Sequence, residues 1–493
     1  MARKLVVGSN LRPYAYLILL TIAALLIHGY HPGVEDAEIY GPGIKKLLNP
    51  NLYPFGSEFF LNHARLTLFD ELMAATIRIT HLGFDPAIFI SYLFSTFLTL
   101  LACWKLSVEC FRKPEAQWAA VSMVAGLLTI SVAGTSLYIA DQYLTSRSIV
   151  TFVLLFATLC ALKDRKTAWA LWSIIAICIH PLMALFGLSY TAILWVMRYR
   201  YSSFYTKPFL AAAIFPIADV LSTPSHAYQQ AVNTRPYFFL LRWEWYEWLG
   251  AIAPLFLFWG IVRLCKDGSR KTIQLMSRAL IVYGFSYLVL ALAITIPERF
   301  QSAARLQPMR SLHLLYILMF LLIGGLIGEH VLQRRLWRWI ILFLPICATM
   351  FVAQRHLFPS SPHIEWPNVV PKNDWLRGFE WIRQHTPTDA VFAMNPEYMD
   401  MDDQHGFRVI AERSRLADAV KDSGAVTMFP EGPTADHWLE QLTAQRGWEH
   451  FTEKDFHRLA KTYNVSWAIL DAPICLDLKC PYANATIRVC RIE

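Results

Sequence analysis

Charged residues are scarce in this chain. Only 17% of its 493 residues are charged, whereas 55% are hydrophobic, and soluble domains usually carry about a quarter of charged residues. This balance excludes an ordinary soluble protein and favours a chain solvated largely by lipid.

Several motifs are also absent. The chain has no paired CxxC sequence with the spacing of a metal site, and it shows no clear internal repeat of the kind that transporters commonly carry. No small-residue cleavage site follows the first apolar run, 14–27. This run is therefore predicted to be an uncleaved first span rather than a removed signal peptide.

Cysteines are used unevenly along the chain. Six of the nine lie in or beside apolar segments, where a thiol is most simply a small buried hydrophobe. The other three are Cys475, Cys480 and Cys490, near the C-terminal end. One disulfide among them is expected if that part of the chain faces an oxidising compartment, but the sequence does not give the pairing.

The net charge of +8 hides two opposite parts of the chain. Before about residue 359 there are 31 Lys and Arg against 17 Asp and Glu, and after it 14 against 20. Basic residues in a membrane domain usually mark cytoplasmic loops, so the excess does not point to nucleic-acid binding. The part after residue 359 is mildly acidic and is predicted to be water-soluble.

Apolar segments dominate the first part of the chain. About eleven of them are present, and most approach the roughly 20 residues that a helix needs to cross hydrocarbon. Lys and Arg cluster in alternate loops between them, which places the N-terminus in the cytoplasm. The outer side then receives 31–85, turns near Asp141 and His180, 222–250, 297–311 and everything after about residue 355.

These features predict a polytopic α-helical membrane protein with about eleven transmembrane helices in residues 1–358. A small α/β domain, 359–493, is expected to follow on the outer, periplasmic or extracellular side, because helical stretches alternate there with short apolar runs. The expected location is the inner (plasma) membrane. The pair of segments around His180 and Pro181 is predicted to be a hairpin, and a single bent helix there would reverse the later loops.

The first outer loop, 31–85, is more than a connector. Residues 37–48 and 58–80 have the apolar periodicity of amphipathic helices that lie at the membrane surface, where they would roof a cavity between spans. Asp70 and Glu71 lie within the second stretch, where they are most simply part of a polar helix face.

Three carboxylates stand where the first span leaves the bilayer: Glu35, Asp36 and Glu38. Asp36 is the predicted catalytic base, since desolvation near apolar surface would raise its proton affinity. Glu35 or Glu38 would assist it or bind a divalent cation. Alternatively, these acids are solvated or cap the helix that begins at residue 37. The sequence names no cofactor and no set of metal ligands.

The segment HPGVEDAEIYGPGIKKLLNPNLYPFGSEFF, 31–60, resembles the first outer loop of GT-C superfamily glycosyltransferases. The order of parts is similar too: many spans, an acidic first outer loop with surface helices, and an outer C-terminal domain. The resemblance implies that Asp36, alone or with Glu35, holds the catalytic carboxylate position. It also implies a sugar donor linked to polyprenyl phosphate.

The C-terminal part, with 375–398 followed by 407–420, resembles the outer domain of uncharacterised bacterial proteins of the same general build. The chain lacks the WWD-type sequence that oligosaccharyltransferases carry in their outer domain, which disfavours N-glycan transfer.

A phosphate-linked donor needs cations near the outer membrane surface, and arginine grips phosphate oxygens with a planar fork. The candidates for substrate binding, beside Glu38, are polar residues of the outer loops: Arg65, Asp141, Arg147, His180, Arg299, Arg305 and Arg310. The alternative for each arginine is that it reaches toward lipid headgroups, and for His180 that it is a packing residue.

The resulting hypothesis is a transferase that moves a sugar from polyprenyl phosphate, or its diphosphate, to a lipid, glycan or protein acceptor. Two alternatives from other classes stay open: a transporter or lipid flippase, and a non-catalytic subunit of a membrane assembly. The sequence leaves open the sugar, the acceptor, the metal requirement and the oligomeric state.

Overall fold

The structure is a computed structural model that describes residues 11–200, 224–265, 270–296, 298–369, 373–400, 403–430, 432–473 and 476–492. One of the eleven apolar segments, centred near residue 214, lies outside the described residues, as do Cys475 and the side chain of Arg299. Within the described part the chain is mostly helical and has a small sheet near its C-terminal end.

Ten of the apolar segments form helices. Their bounds are α1 Arg12–His28, α5 Phe84–Cys110, α6 Pro114–Gly126, α7 Ser146–Leu162, α8 Lys166–Ile179, α9 Pro181–Arg200, α11 Trp245–Leu264, α12 Lys271–Thr295, α13 Leu312–Ile327 and α14 Leu336–Leu357. Six helical segments in the described part are long and apolar enough to cross a membrane: α5, α9, α11, α12, α14 and Ser302–Leu332, which contains α13. The full number of spans stays a prediction.

Large apolar side chains project outward from these helices. On α14, Leu336, Ile341 and Leu344 are exposed by 73%, 64% and 64%. Each such side chain left in water forgoes roughly 1.5–3 kcal/mol of burial free energy. A whole helix face of this kind is stable when lipid covers it, which makes the chain a helical membrane protein.

The helices α8 and α9 form a hairpin, as predicted. His180 has a non-helical backbone between them, with φ −157° and ψ 89°, because the ring of Pro181 disfavours a helical residue before it. Trp169 near the start of α8 donates from Nε1 to Thr191 Oγ1 of α9 at 3.1 Å, and its ring lies 4.5 Å from that of Trp195. These contacts are only reached when the two helices run antiparallel, so a single bent helix is excluded.

The first outer loop contains three helices rather than two. The helix α2, Ala37–Leu48, matches its prediction, but 58–80 is divided into α3, Glu58–Ala64, and α4, Phe69–Thr80. The division occurs where the backbone N–H of Leu68 donates to Cys178 O of α8 at 2.9 Å. Because that donor is used across the interface, the helix restarts with Thr67 Oγ1 accepting from Phe69 N.

The C-terminal part is a small α/β domain around a five-stranded sheet. Its strands are β1 Val391–Ala393, β2 Ser414–Arg415, β3 Trp467–Asp471, β4 Lys479–Ala483 and β5 Ile487–Arg491, in the order β2-β1-β3-β5-β4. The pairs of β1 with β2 and β3 are parallel, and β5 pairs antiparallel with β3 and β4. The helices around the sheet are α15 Asp374–His385, α16 Phe407–Ala411, α17 Lys421–Thr427, α18 Thr434–Ala444 and α19 Glu453–Tyr463.

A disulfide joins Cys480 of β4 to Cys490 of β5. This confirms the expectation of one disulfide among the C-terminal cysteines and supplies the pairing that the sequence left open. The link ties the edge strand β4 to its neighbour.

This domain packs directly on the first outer loop. Tyr53 Oη donates to Arg408 O at 2.8 Å, and Lys45 Nζ contacts both Val409 O and Glu412 Oε1 at 2.7 Å. A short helix, α10 (His226–Asn233), also packs against the domain through Tyr228, whose hydroxyl donates to Thr427 O. The C-terminal domain is therefore continuous with the surface from which the predicted catalytic residues project.

Candidate functional site

Asp36 stands at the entrance of α2 and does not cap it. Its position is the N-cap, yet its carboxylate makes no capping hydrogen bond with α2. Instead Oδ2 accepts a hydrogen bond from Arg147 Nη1 at 2.9 Å, and about a third of the side chain, 32%, is exposed. The capping alternative does not describe this side chain, which faces a partner 111 residues away.

Arg147 joins two of the predicted carboxylates. It lies in the first turn of α7, whose start is fixed by Thr145 Oγ1 accepting from Ser148 N. One guanidinium nitrogen donates to Asp36 and the other, Nη2, donates to Asp141 Oδ2 at 2.9 Å. Arg147 and Asp141 are both buried. Such a fork fixes the guanidinium plane between the first outer loop and the start of α7.

Asp36, Asp141 and Arg147 form what we call the Asp36 cluster. Arg310 is a second cation beside it. It lies within electrostatic range of Asp36, Arg147 and Tyr40. Its Nε atom is buried and has no hydrogen-bond partner in the described part of the chain. A buried guanidinium N–H without an acceptor is costly, and an anionic ligand would satisfy it.

Two histidines face the same cluster. His63 of α3 lies near Asp36, Arg147 and Arg310, and burial, with both arginines acting in the same direction, lowers its pKa to about 4. It is neutral at physiological pH. His180, at the break between α8 and α9, lies within electrostatic range of Arg147, His63 and Arg310. The helix break thus brings a predicted binding residue to the site.

The C-terminal domain adds a lysine that sequence reasoning missed. Lys421, at the start of α17, pairs with Glu35, and its Nζ lies 4.0 Å from Asp36 Oδ1. Lys421 is buried, whereas the Glu35 side chain is 59% exposed. Nothing in the local sequence marks Lys421, because its partners lie almost 400 residues away.

The electrostatics of Asp36 are opposite to expectation. Burial of its carboxylate opposes ionisation, but Arg147, Lys421 and Arg310 outweigh that effect and hold the pKa of Asp36 well below its usual value. The expectation of a raised proton affinity is therefore wrong in this structure. For Asp141 the balance is reversed, since burial raises its pKa despite the contact with Arg147. The two carboxylates that share Arg147 therefore have pKa values shifted in opposite directions.

Glu38 lies in a different environment from Asp36. It is fully buried, and its two carboxylate oxygens accept from Arg408 N at 3.0 Å and Val409 N at 3.1 Å. Burial raises its pKa to about 7, although Arg408 opposes the shift. With no exposed surface, Glu38 holds the C-terminal domain on α2 and is not positioned to contact a substrate in this conformation.

Two other predicted binding residues, Arg65 and Arg305, have different neighbours. Arg65 lines a surface cavity between α3 and the start of α18, together with Glu58 and Thr434. Arg305 lies near Tyr228 of α10. The side chain of Arg299 is not among those described. The structure therefore gathers Asp36, Glu35, Asp141, Arg147, His180 and Arg310, and none of the contacts described above joins Arg65 or Arg305 to them.

Asp70 is a buried carboxyl, although the apolar periodicity of its helix suggested an exposed position on the polar face. It is 1% exposed, and neither carboxylate oxygen has a hydrogen-bond partner among the residues that the structure describes. It packs against Gly43 of α2, where an added Cβ would lie 2.2 Å from Asp70 Oδ2. Burial, reinforced by Glu71, raises the pKa of Asp70 to about 8. At neutral pH this carboxyl is mainly protonated.

The charges at the Asp36 cluster are nearly balanced by side chains alone. Asp36 and Asp141 share Arg147, Glu35 pairs with Lys421, and Arg310 supplies a further positive charge. Three carboxylates thus face three cations, so the preference for an anionic ligand such as a phosphate rests on the buried Nε of Arg310, which has no hydrogen-bond partner among the described residues.

Comparison with known proteins gives a family match for part of the C-terminal domain. Residues 373–422 match the model of a domain of unknown function, DUF6798. The matched segment contains Arg408, Lys421 and Asp422, and so includes the side of the C-terminal domain that contacts the first outer loop. No curated protein matches the chain. The match covers a small part of the chain and carries no activity with it.

Proposed function

We propose that this chain is a glycosyltransferase with a GT-C-like membrane domain of about eleven spans. It moves a sugar from a polyprenyl-phosphate-type donor to a lipid, glycan or protein acceptor at the outer membrane face. The observation that carries the proposal is the position of Asp36, partly exposed and surrounded by Arg147, Arg310 and Lys421.

The cations suit the phosphate of such a donor. The buried Nε of Arg310 has no partner in the described ranges, and Arg147 offers its charge from the first turn of α7. As the bond to the sugar breaks, negative charge grows on the leaving phosphate oxygen. Fixed guanidinium groups stabilise that charge without reorganisation.

Donor binding would also raise the pKa of Asp36. Arg147 and Lys421 stabilise its ionised form, which makes Asp36 a weak base. An anionic phosphate competes for the same cations and adds a negative charge nearby. Both effects raise the pKa of Asp36, so that it becomes a stronger base only when the donor is in place.

The proposed reaction is a displacement at the anomeric carbon of the sugar. The acceptor hydroxyl oxygen attacks the anomeric carbon, and the bond from that carbon to the phosphate oxygen breaks. The bonding electrons leave with polyprenyl phosphate, or the diphosphate, between Arg147 and Arg310. The hydroxyl proton passes to Asp36 and is later released to water.

The orientation of the chain is part of the same proposal. Its basic loops favour a cytoplasmic N-terminus, and the Cys480–Cys490 disulfide favours an oxidising compartment for the C-terminal domain. Because that domain packs on the first outer loop, both would lie on the periplasmic or extracellular side.

The proposal is tested by Asp36→Asn with Glu71→Gln as its control, since Glu71 is an exposed acid of the same loop. Membranes with equal amounts of each variant are supplied with polyprenyl-phosphate-linked sugars, and transfer to membrane acceptors is measured. Loss of a general base should reduce transfer by a factor of at least about 100. Full activity in Asp36→Asn, with the control also active, would exclude the assignment.

A second measurement separates the transferase from a transporter. Purified protein that retains polyprenyl phosphate supports a transferase, whereas substrate counterflow in proteoliposomes without any transfer supports a transporter or flippase. A protein that shows neither property would be an assembly subunit without chemistry.

A further inference from the structure

Three residues from distant parts of the chain meet outside the Asp36 cluster. His31 follows the end of α1, Glu365 lies in the connection between α14 and the C-terminal domain, and His405 precedes α16. His31 Nδ1 lies 2.7 Å from Glu365 Oε1, and His405 Nε2 lies 2.9 Å from the same oxygen. The potential ligand atoms of all three side chains lie within 4.8 Å of one another.

The three side chains are well shielded from water. The side-chain exposures of His31, Glu365 and His405 are 0%, 14% and 1%. The His31 ring is stacked on Phe358 with centroids 3.7 Å apart. Such packing fixes the rings and lowers the entropy lost when they bind a ligand.

The hydrogen bonds define which nitrogen of His405 faces the cluster. His405 Nδ1 lies 3.3 Å from the carbonyl oxygen of Asp403, which can only accept, so Nδ1 carries the proton. In the neutral ring Nε2 then has a lone pair, and that lone pair points at the Glu365 carboxylate. Two acceptors at this distance need a proton or a metal ion between them.

We propose that His31 Nδ1, Glu365 and His405 Nε2 bind a divalent transition-metal ion, with zinc as the expected occupant. Two imidazoles and one carboxylate are a donor set that suits zinc. In tetrahedral zinc sites the ligand atoms lie about 3.3 Å apart, and here the two nitrogens lie 2.7 and 2.9 Å from Glu365 Oε1, with all the ligand atoms within 4.8 Å of one another. Small side-chain rotations therefore suffice to form the site.

The contacts of the second ring nitrogen fit this role at His405, whereas His31 Nε2 has no hydrogen-bond partner among the described residues. A histidine that binds a metal usually donates its other N–H to a carbonyl or carboxylate, as His405 does to Asp403. Glu365 and His405 also line a cavity of about 590 Å³ together with Lys45, Asp85 and Trp366. The cavity gives the ion an entry path and leaves room for water as a fourth ligand.

The ion would join three segments that already touch through their backbones. Tyr30 forms an isolated parallel β-bridge with Ile364, and Val34 forms an antiparallel one with His405. Gly406 N donates to Gly33 O at 2.7 Å. Glu35 and Asp36 follow directly along the chain. The metal would thus fasten the C-terminal domain to the loop that carries Asp36, and this inference stands independently of the proposed sugar transfer.

The test is metal binding by the full-length protein in detergent. Protein stripped with a chelator is reloaded with zinc, passed through a desalting column and analysed by mass spectrometry for metal content. We expect about one ion per chain in the native protein and at least about tenfold less in Glu365→Gln and His405→Gln. His457→Gln is the control, because His457 is exposed on α19.

Cobalt binding to the native protein tests the site without any substitution, so it does not depend on whether a variant folds. Cobalt added to the stripped native protein should give the visible absorption bands of a four-coordinate ion with nitrogen and oxygen ligands, and zinc should remove them. Native protein that retains less than about a tenth of an ion per chain and shows no such bands would overturn the proposal. The cluster would then be a histidine–carboxylate contact held by protons alone.

Discussion

Lys421 of the C-terminal domain places its Nζ atom 4.0 Å from Oδ1 of Asp36 in the first outer loop. The residue that the sequence favours as the base therefore depends on a cation from the other end of the chain. The segment that supplies this lysine lies within the match to DUF6798. Its packing on the loop gives that segment a place in the candidate site.

Replacing Lys421 by Met should weaken the reaction with an anionic donor. The change removes one positive charge beside Asp36 and leaves Glu35 without its partner. We expect kcat/KM to fall about tenfold, as is typical for one lost charge-assisted contact, and Lys421→Arg to recover most of it. Lys454→Met is the matched control, since Lys454 is exposed on α19. An equal effect of both Met variants would contradict a role for Lys421 at the site.

Arg147→Met should strongly destabilise the fold. The substitution leaves Asp36 and the buried Asp141 without their shared partner, and removing one member of a buried ion pair typically costs about 3–5 kcal/mol. Adding Asp141→Asn should recover part of the loss, because it removes a buried charge that has no counter-ion. Chemical unfolding of the detergent-solubilised protein measures both changes. Independent, additive effects of the two substitutions would argue against the ion pair.

Arg310→Gln should weaken binding of polyprenyl phosphate. Its Nε has no partner within the described part of the chain, so a ligand phosphate would gain a charge-assisted hydrogen bond there. We expect the Kd for polyprenyl phosphate to rise at least about tenfold, measured by native mass spectrometry. Arg305→Gln is the control from the same outer segment, because Arg305 lies near Tyr228 instead. Equal losses in both variants would indicate a general effect of charge.

Asp70 should make the stability of the protein fall as the pH rises. Burial raises its pKa from 3.8 to about 8, so between these values the folded state holds a proton that the unfolded state has released. The contribution of this group is fully present below pH 4 and is lost progressively up to about pH 8. Asp70→Asn cannot ionise, so its Tm should fall less between pH 5 and pH 8 than that of the native protein.

The control for this prediction is Asp436→Asn, since Asp436 is an exposed acid of α18. Thermal unfolding of the three proteins in detergent at both pH values makes the comparison. If the Tm of Asp70→Asn and that of the native protein fall equally between the two pH values, the carboxyl of Asp70 is already ionised near neutral pH. Water must then reach the buried carboxyl.

The sequence determined the features that depend on neighbouring residues. Hydrophobic runs indicated the membrane domain, the period of apolar residues gave α2 its bounds, and Pro181 predicted the break between α8 and α9. The C-terminal cysteines indicated a disulfide. These features follow from local backbone preferences and from which side of a helix is apolar, and a single sequence displays both.

Only the tertiary structure decided which charges meet. Asp36 and Glu38 are two positions apart, yet one faces Arg147 and Lys421 and the other is sealed under the start of α16. The direction of each pKa shift follows from these long-range neighbours and from burial, since electrostatic energy depends on distance in space and on the surrounding dielectric. The same reason conceals His31, Glu365 and His405 in the sequence, where more than 300 residues separate the first two.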